Sequence, residues 1–158
     1  MGERPLPTGA GEPSVTDLDM LYKETEELYA RIARGCGLSD CAYWIMYAVE
    51  VAGGGRVTQR DVAESLCYPK QTINSAVRSL EVRGLVRLEF APGSRKSKDL
   101  TLTEAGREFV LERVVPAMEV ERRAFASLEP DERRELVRLA MKYARAVDEE
   151  MRAEGEGK

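Results

Sequence analysis

The residues best suited to chemistry lie together in one short segment, YPKQTINSAVRSLEVRGLV, which covers residues 68–86. Four polar side chains in this segment are three or four residues apart and would share one face of a helix, namely Gln71, Asn74, Ser75 and Arg78. A side-chain amide can form paired hydrogen bonds to adenine, and a guanidinium can form them to guanine. The spacing therefore predicts a helix face that reads base edges, and an ordinary solvated surface is the alternative.

Basic residues are concentrated around this segment. Between Arg56 and Leu100 nine Lys/Arg and five Asp/Glu give a net charge of +4, whereas the remaining fifteen basic and twenty-three acidic residues give −8. A positive stretch between acidic flanks indicates a surface for an anion. The residues predicted to contact phosphate, which fixes register without reading sequence, are Arg56, Arg60 and Lys70.

A second basic group follows in the turn-rich loop APGSRKSKD, residues 91–99. It places three cations within four residues, namely Arg95, Lys96 and Lys98. Charged loops often serve only solubility. Cations clustered at the tip of a hairpin are also well suited to the phosphate backbone, and we predict that these three contact DNA.

Composition argues against several other classes of protein. The chain of 158 residues fits one domain, and its net charge of −4 alone does not indicate a nucleic-acid partner. It has no histidine, no Gly-rich phosphate loop and no nucleophile motif, so we expect no enzyme, no cofactor and no metal site. An odd number of cysteines, the lack of an apolar run near about 18 residues and the lack of a signal peptide predict a cytoplasmic protein without a membrane span.

The hydrophobic pattern predicts a mainly α-helical chain with one small antiparallel β-hairpin, an α+β class. Residues 1–14 and 153–158 are predicted to be disordered tails. Helices are predicted from Thr16 to Gly35 or Gly37, over Asp40–Val51, after Thr58, over residues 69–83, from Thr103 to Phe125 and from Pro130 onward. The hairpin is formed by the segments LVRLEF and LTLT.

Several helix boundaries have specific signals. Capping boxes are predicted at Thr16 with Asp19 and at Thr58 with Asp61, and simple N-caps at Ser39 and Thr103. The helix that Ser39 caps is apolar almost all round, which places it inside the core. Pro116 lies within the helix that Thr103 begins and predicts a kink there.

A short helix, a turn, a second helix and a hairpin make a winged helix-turn-helix. Over residues 15–151 the chain resembles the MarR family of bacterial transcriptional regulators. The segments that carry the resemblance occur in the family's order and are GLSDCAYWIMYAV, VTQRDVAESL, YPKQTINSAVRSLEVRGLVRLEF, KSKDLTLTEAGREFV and LEPDERRELVRLAMKYA.

The resemblance implies a single domain over residues 15–152. Its winged helix-turn-helix lobe, residues 38–103, would be flanked by long dimerisation helices over 15–37 and 104–152, so the protein would be a homodimer. In the family's arrangement the helix 69–83 enters the major groove, and the wing 91–99 approaches the minor groove and backbone. The implied major-groove residues are Gln71, Thr72, Asn74, Ser75 and Arg78.

The chain departs from the family's pattern at two places. Pro69 stands where the family often has a serine cap before the Lys-Gln-Thr sequence. Ser94 and Lys96 stand where the family's wing often carries an Asp and an Arg. Lysine does not reproduce the planar fork of arginine or its fit in a narrow groove.

The resemblance also implies an effector site, because family members commonly respond to a small phenolic or lipophilic molecule bound between the dimerisation helices and the winged lobe. The aromatic residues that could line such a cavity are Tyr22, Tyr29, Tyr43, Trp44 and Tyr47. The alternative is that these side chains simply fill the core and the dimer interface.

Another branch of the family senses peroxides through a reactive cysteine, and three residues are candidates here: Cys36, Cys41 and Cys67. Cys41 lies near a helix N-terminus, which predicts a lowered thiol pKa. Cys67 lies in the turn before the helix 69–83, where oxidation could disturb DNA binding. The alternative is that the cysteines are buried and inert.

These observations favour a homodimeric, sequence-specific DNA-binding regulator, a repressor released by a small aromatic or lipophilic ligand. Its double-stranded operator would be pseudo-palindromic, with half-sites about one helical turn apart. Two alternatives remain open: a winged-helix protein-interaction module that does not bind DNA, and a regulator that senses redox state through cysteine.

Overall fold

The computed structural model describes residues 12–53, 57–90 and 98–156. The chain forms two compact units that divide between Ala117 and Met118. The first contains the elements α1 (Val15–Gly35), α2 (Asp40–Val51), β1 (Val57–Thr58), α3 (Gln59–Leu66), α4 (Lys70–Val82), β2 (Val86–Phe90), β3 (Lys98–Leu102) and α5 (Glu104–Phe109). A π-helical turn (Val110–Val114) then leads into α6 (Val115–Ala126), and α7 (Pro130–Glu156) follows as the last element. The predicted class, mainly α with a small antiparallel sheet, is confirmed.

The sheet has three strands rather than the two of the predicted hairpin. Strands β2 and β3 pair antiparallel, from Val86 opposite Leu102 to Phe90 opposite Lys98. Strand β1 adds to the other edge of β3 and places Thr58 opposite Asp99, giving the order β1-β3-β2. The sequence pattern missed β1 because two residues are too few to show an alternation.

The core of the first unit is built around α2. Its residues Tyr43, Ile45, Met46 and Val49 have at most 1% of their surface exposed, as the nearly continuous apolar composition of this helix predicts. Apolar side chains from other elements complete this core, including Val62, Ile73, Val77, Leu80, Leu100, Val110 and Val114. The helix α4 is therefore held by one apolar face, and its opposite face is free for other contacts.

Most predicted helix caps are confirmed. The hydroxyl of Ser39 accepts from Ala42 N–H, and Thr58 and Asp61 form a complete capping box at α3. The first helix differs, because Ser14 and Asp17 form its capping box in place of Thr16 and Asp19. Both pairs fit the same sequence signature, and the earlier pair extends the helix by about half a turn.

The long helix after Thr103 contains a π-helical turn that ends two residues before Pro116. Proline has no N–H to donate to the carbonyl four residues earlier, and its ring crowds that carbonyl. A π-turn is one of the recognised ways in which a helix accommodates such a break. The buried Val110 and Val114 lie in this turn, and the Cys36 thiol donates to the Arg113 carbonyl oxygen at 3.2 Å.

The second unit consists of the end of α6 and the 27-residue α7. An apolar series along α7 is largely uncovered within the chain, with Leu136, Leu139 and Val147 each at least 40% exposed. The helix continues to Glu156, so the prediction of a disordered tail from residue 153 is wrong for residues 153–156. The Ala and Glu residues at its end are good helix formers, which explains the continuation.

Of the predicted N-terminal tail, only residues 12–14 are described, and they have no regular structure. In the described part of the chain no helix is both long enough and apolar enough to cross a membrane.

Candidate nucleic-acid interface

The helix-turn-helix is formed by α3 and α4. A left-handed residue, Cys67 with φ 53°, ends α3. Pro69, predicted as the first residue of the next helix, is instead its N-cap: it has an extended ψ of 138° and no side-chain cap, and α4 begins at Lys70. On α4 the residues Ile73, Ala76, Val77 and Leu80 are buried. All five side chains predicted to read the major groove are exposed on the remaining surface of this helix: Gln71, Thr72, Asn74, Ser75 and Arg78.

Two cations at this surface have no counter-ion within the described chain. No acidic side chain among these residues pairs with Lys70 or Arg78. Arg60 differs, because its guanidinium is 2.7 Å from the Glu64 carboxylate on the exposed side of α3. Such an exposed pair contributes little free energy, so Arg60 can exchange Glu64 for a phosphate at small cost.

Gln59 also belongs to this surface, although no motif in the sequence singles it out. This first residue of α3 donates from Nε2 to the Asn74 Oδ1 at 2.5 Å. The bond joins the two helices of the motif across fifteen residues of sequence. The one signal in the sequence was the position of Gln59. It directly follows the Thr58 cap and is therefore the first residue of α3, the helix that precedes α4 in the motif.

Only part of the wing is described. Lys98 lies at the start of β3 rather than at the tip, with its Nζ 5.4 Å from the centre of the exposed Phe90 ring. Lys98 is an exposed residue despite this cation–π contact. Arg56, Arg95 and Lys96 lie outside the described residues, and their roles stay predictions.

The aromatic residues predicted to line an effector site form a packed cluster instead of surrounding an open space. The Trp44 ring lies 4.9 Å from Tyr29, 5.5 Å from Tyr43 and 5.2 Å from Tyr47, measured between ring centroids. Tyr43 is only 1% exposed, whereas Tyr22 is 43% exposed. Four of the five candidates therefore fill space against one another, which favours the core-packing interpretation.

A cleft of about 560 Å³ lies elsewhere in the first unit, and its lining is charged: Lys23, Glu26, Glu27, Ala30, Asp40 and Tyr68. Across it the Tyr68 hydroxyl donates a hydrogen bond to the Asp40 carboxylate. Burial, followed by the hydrogen bond and charge of Asp40, raises the pKa of the Tyr68 phenol above its ordinary value. The cleft thus connects α1 and the start of α2 with the residue that precedes the α4 cap.

Replacing Tyr68 by phenylalanine tests this link through pH. Because the folded-state pKa of Tyr68 is raised, the unfolded chain loses this proton first, and stability falls as pH rises above about 10. Tyr68→Phe removes that contribution, which is at most about 1.4 kcal/mol per pH unit. Urea unfolding at about pH 9, 10 and 11 should give a shallower pH dependence for the variant. If stability depends on pH equally in wild type and Tyr68→Phe, then Tyr68 has the same pKa in the folded and the unfolded protein, and the prediction is wrong.

The cysteines differ sharply in their surroundings. Cys36 and Cys41 are buried and Cys67 is exposed. Burial raises the pKa of both buried thiols; the Asp40 charge raises that of Cys41 further, and Arg113 only partly offsets the rise at Cys36. The predicted lowering of the Cys41 pKa by the helix N-terminus is therefore wrong, because desolvation of the thiolate and the neighbouring carboxylate outweigh the helix dipole.

This difference predicts the order of thiol modification. Because the thiolate is the reactive form, we expect iodoacetamide at near-neutral pH to alkylate Cys67 first and to leave Cys36 and Cys41 intact until the protein unfolds. Peptide mass spectrometry with and without urea measures the order. Labelling of Cys41 at the rate of Cys67 in the folded protein would contradict it. The same assay after mild peroxide treatment tests the redox hypothesis for all three cysteines.

The fold and the exposed face of α4 define the class of winged helix-turn-helix proteins. The sequence model described as MarR family matches residues 37–97, a stretch that includes α2, α3, α4 and β2, and the chain has the fold of solved MarR family regulators. No curated protein sequence gives a significant match.

Solved structures with the same fold cover most of the chain. The MepR–DNA complex of S. aureus has a TM-score of 0.68 at 16% sequence identity, over 87% of this chain and 99% of that one. A MarR family regulator from Neisseria meningitidis has a TM-score of 0.65 at 22% identity, over 89% of this chain and 98% of that one. BpsR of Bordetella bronchiseptica has a TM-score of 0.61 at 23% identity, over 80% of this chain and 98% of that one. The DNA binding of BpsR is regulated by 6-hydroxynicotinic acid.

Proposed function

We infer that this protein is a homodimeric transcriptional regulator that binds a specific double-stranded DNA sequence, with α4 in the major groove and the wing 91–99 at the minor groove and backbone. The observation that carries the proposal is the exposed face of α4. There Gln71, Asn74, Ser75 and Arg78 project from a helix whose other face is buried. Amide and guanidinium groups on a helix held in this way suit base edges in the major groove.

The distribution of charged side chains also supports placing α4 against DNA. Lys70, which pairs with no acidic side chain of the described residues, lies next to the reading face, and Arg60 is restrained only by an exposed ion pair. Neutralising phosphates with such groups releases counterions and gives affinity that does not depend on sequence. The negative net charge of the whole chain does not oppose this, because the positive charge is concentrated between Arg56 and Leu100.

The proposed dimer rests on apolar surface that a single chain leaves uncovered. In α1 the side chains of Leu21 and Leu28 are 52% and 45% exposed, and α7 leaves its apolar series exposed as well. Exposed apolar series at helical spacing are typical of helices that pack against another subunit. A two-fold dimer would present two copies of α4, which is why a pseudo-palindromic operator is expected.

Regulation by a small aromatic or lipophilic effector, and repression as its output, are the finer parts of the proposal. Support comes from the family and from the regulation of BpsR by an aromatic acid. The ring cluster would have to rearrange to admit a ligand, whereas the cleft at Tyr68 and Asp40 is already open. A regulator of this kind would act where bacterial DNA is, in the cytoplasm.

The direct test is selection from random duplex DNA by the full-length protein at near-physiological salt. Enrichment of an inverted repeat would support the proposal, and footprinting should then show two half-sites about one helical turn apart. Binding without enrichment would leave phosphate contacts only and would remove the reading roles of α4. Failure to bind any duplex would favour the protein-interaction module.

A further inference from the structure

The contact between Gln59 and Asn74 assigns a role to a residue outside the reading face. Among the described residues it is the only side-chain hydrogen bond that joins α3 to α4. Gln59 is half-buried, whereas Asn74 is exposed. The inference drawn from this pair rests on the proposed function, since it concerns how α4 reads DNA.

The backbone of Gln59 is held rigidly, so its side chain can restrain Asn74. The capping box of Thr58 and Asp61 sets the first turn of α3, and Thr58 also pairs with Asp99 in the sheet. The Asn74 backbone is equally fixed, because its neighbour Ile73 is 1% exposed in the core. The remaining freedom of an exposed Asn is rotation of its amide, and the hydrogen bond from Gln59 restricts that rotation.

The direction of this bond decides what Asn74 offers to DNA. Its Oδ1 accepts from Gln59 Nε2, so its Nδ2, with two N–H donors, is the group left to face outward. An Asn that reads adenine alone needs both its oxygen, for N6–H, and its nitrogen, for N7. An Asn74 whose oxygen is directed toward Gln59 presents its NH2 group as a donor, which suits acceptors in the major groove: purine N7, guanine O6 or thymine O4.

We propose that Gln59 is a positioning residue for DNA recognition: it holds the Asn74 amide with its NH2 group toward the major groove and so selects a base edge that presents an acceptor. Gln59 and Asn74 act as one unit drawn from both helices of the motif. The amide of Gln59 keeps its own Oε1 available, so the pair can present a donor and an acceptor side by side.

The proposal makes opposite predictions for two substitutions of Gln59. In Gln59→Ala the Asn74 amide rotates freely, and preference at the base pair it contacts should weaken by about tenfold. In Gln59→Glu the new carboxylate can only accept, so it attracts the Asn74 NH2 and turns Oδ1 toward the groove. Preference at that base pair should then move toward an edge that presents a donor, adenine N6 or cytosine N4.

The experiment is selection from random duplexes by full-length wild type, Gln59→Ala, Gln59→Glu, Asn74→Ala and the Gln59→Ala/Asn74→Ala double variant. The base pair contacted by Asn74 is the one whose preference disappears in Asn74→Ala. At that position the double variant should match Asn74→Ala, because the two residues act as a unit. A salt titration should give the same slope for Gln59→Ala as for wild type, since no phosphate contact is lost.

The possible failures are distinguishable. If wild type enriches an inverted repeat and Gln59→Ala keeps the full preference at the Asn74 position, the positioning role is wrong and the proposed function stands. If Gln59→Ala weakens every position equally and lowers the melting temperature, Gln59 is only structural and the inference is again overturned. If wild type enriches no sequence, the inference fails together with the proposed function.

Discussion

Replacing Arg78 by lysine is expected to remove much of the sequence preference of this protein and to leave most of its general affinity for DNA. The substitution keeps the positive charge on the exposed face of α4, where no acidic side chain of the described chain competes for it. It removes the planar fork that forms two parallel hydrogen bonds to guanine. One such bidentate contact provides about 1–3 kcal/mol of discrimination, so the ratio of specific to non-specific affinity should fall roughly five- to 150-fold.

The measurement compares dissociation constants for a selected duplex and for a scrambled duplex at two or more salt concentrations. Only the selected duplex should bind more weakly, and the salt dependence should change little because the charge is retained. Arg138→Lys is a matched control, since Arg138 lies on α7 and pairs there with Glu135 at 2.6 Å. Equal weakening on both duplexes would show that Arg78 contacts phosphate rather than a base.

Much of the lobe that presents Arg78 could be predicted from sequence, because its signals are local. The apolar positions Ile73, Val77 and Leu80 repeat at helical spacing, and all three are buried. The caps at Ser39, Thr58 and Thr103 involve groups only three residues apart, so no knowledge of the tertiary fold is needed to identify them.

The features that sequence did not predict depend on how elements meet. The Gln59–Asn74 contact spans fifteen residues, and the Tyr68–Asp40 contact spans twenty-eight. Neither pair has a periodic or spacing signal, since both depend on the angle between helices. Cys41 illustrates the same limit differently: its place near a helix N-terminus is visible in sequence, but its burial, which dominates its pKa, is a tertiary property.

Among the glycines that the structure describes, Gly106 is the one where an added methyl group should destabilise the fold most. A Cβ on this residue would lie 1.8 Å from the Leu85 carbonyl oxygen and 2.9 Å from its carbon. Contact with backbone cannot be relieved by rotating a side chain, so α5 would have to move away from Leu85. On local grounds the same change would favour the helix by up to about 1 kcal/mol, because alanine is the better helix former.

The steric cost should exceed the gain in helix propensity, because the displaced contact anchors the base of the β2–β3 hairpin. The Thr103 N–H and hydroxyl donate to the Leu85 and Gly84 carbonyl oxygens at 3.1 and 2.6 Å, and Gly106 N–H donates to the Thr103 hydroxyl at 2.9 Å. Moving α5 strains all three bonds. We expect Gly106→Ala to lower the free energy of unfolding by about 2 kcal/mol or more, since overpacking typically costs about 1–3 kcal/mol when only side chains must shift.

Urea denaturation of Gly106→Ala and of Gly35→Ala provides the comparison. Gly35 is the last residue of α1 and has no heavy atom within 4 Å of the place that a Cβ would occupy, so the same substitution there should be neutral or stabilising by up to about 1 kcal/mol. Opposite signs for two helical glycines would trace the loss to the Leu85 contact rather than to glycine itself. If Gly106→Ala is as stable as wild type, α5 can withdraw from Leu85 freely, and another contact must hold the base of the β2–β3 hairpin.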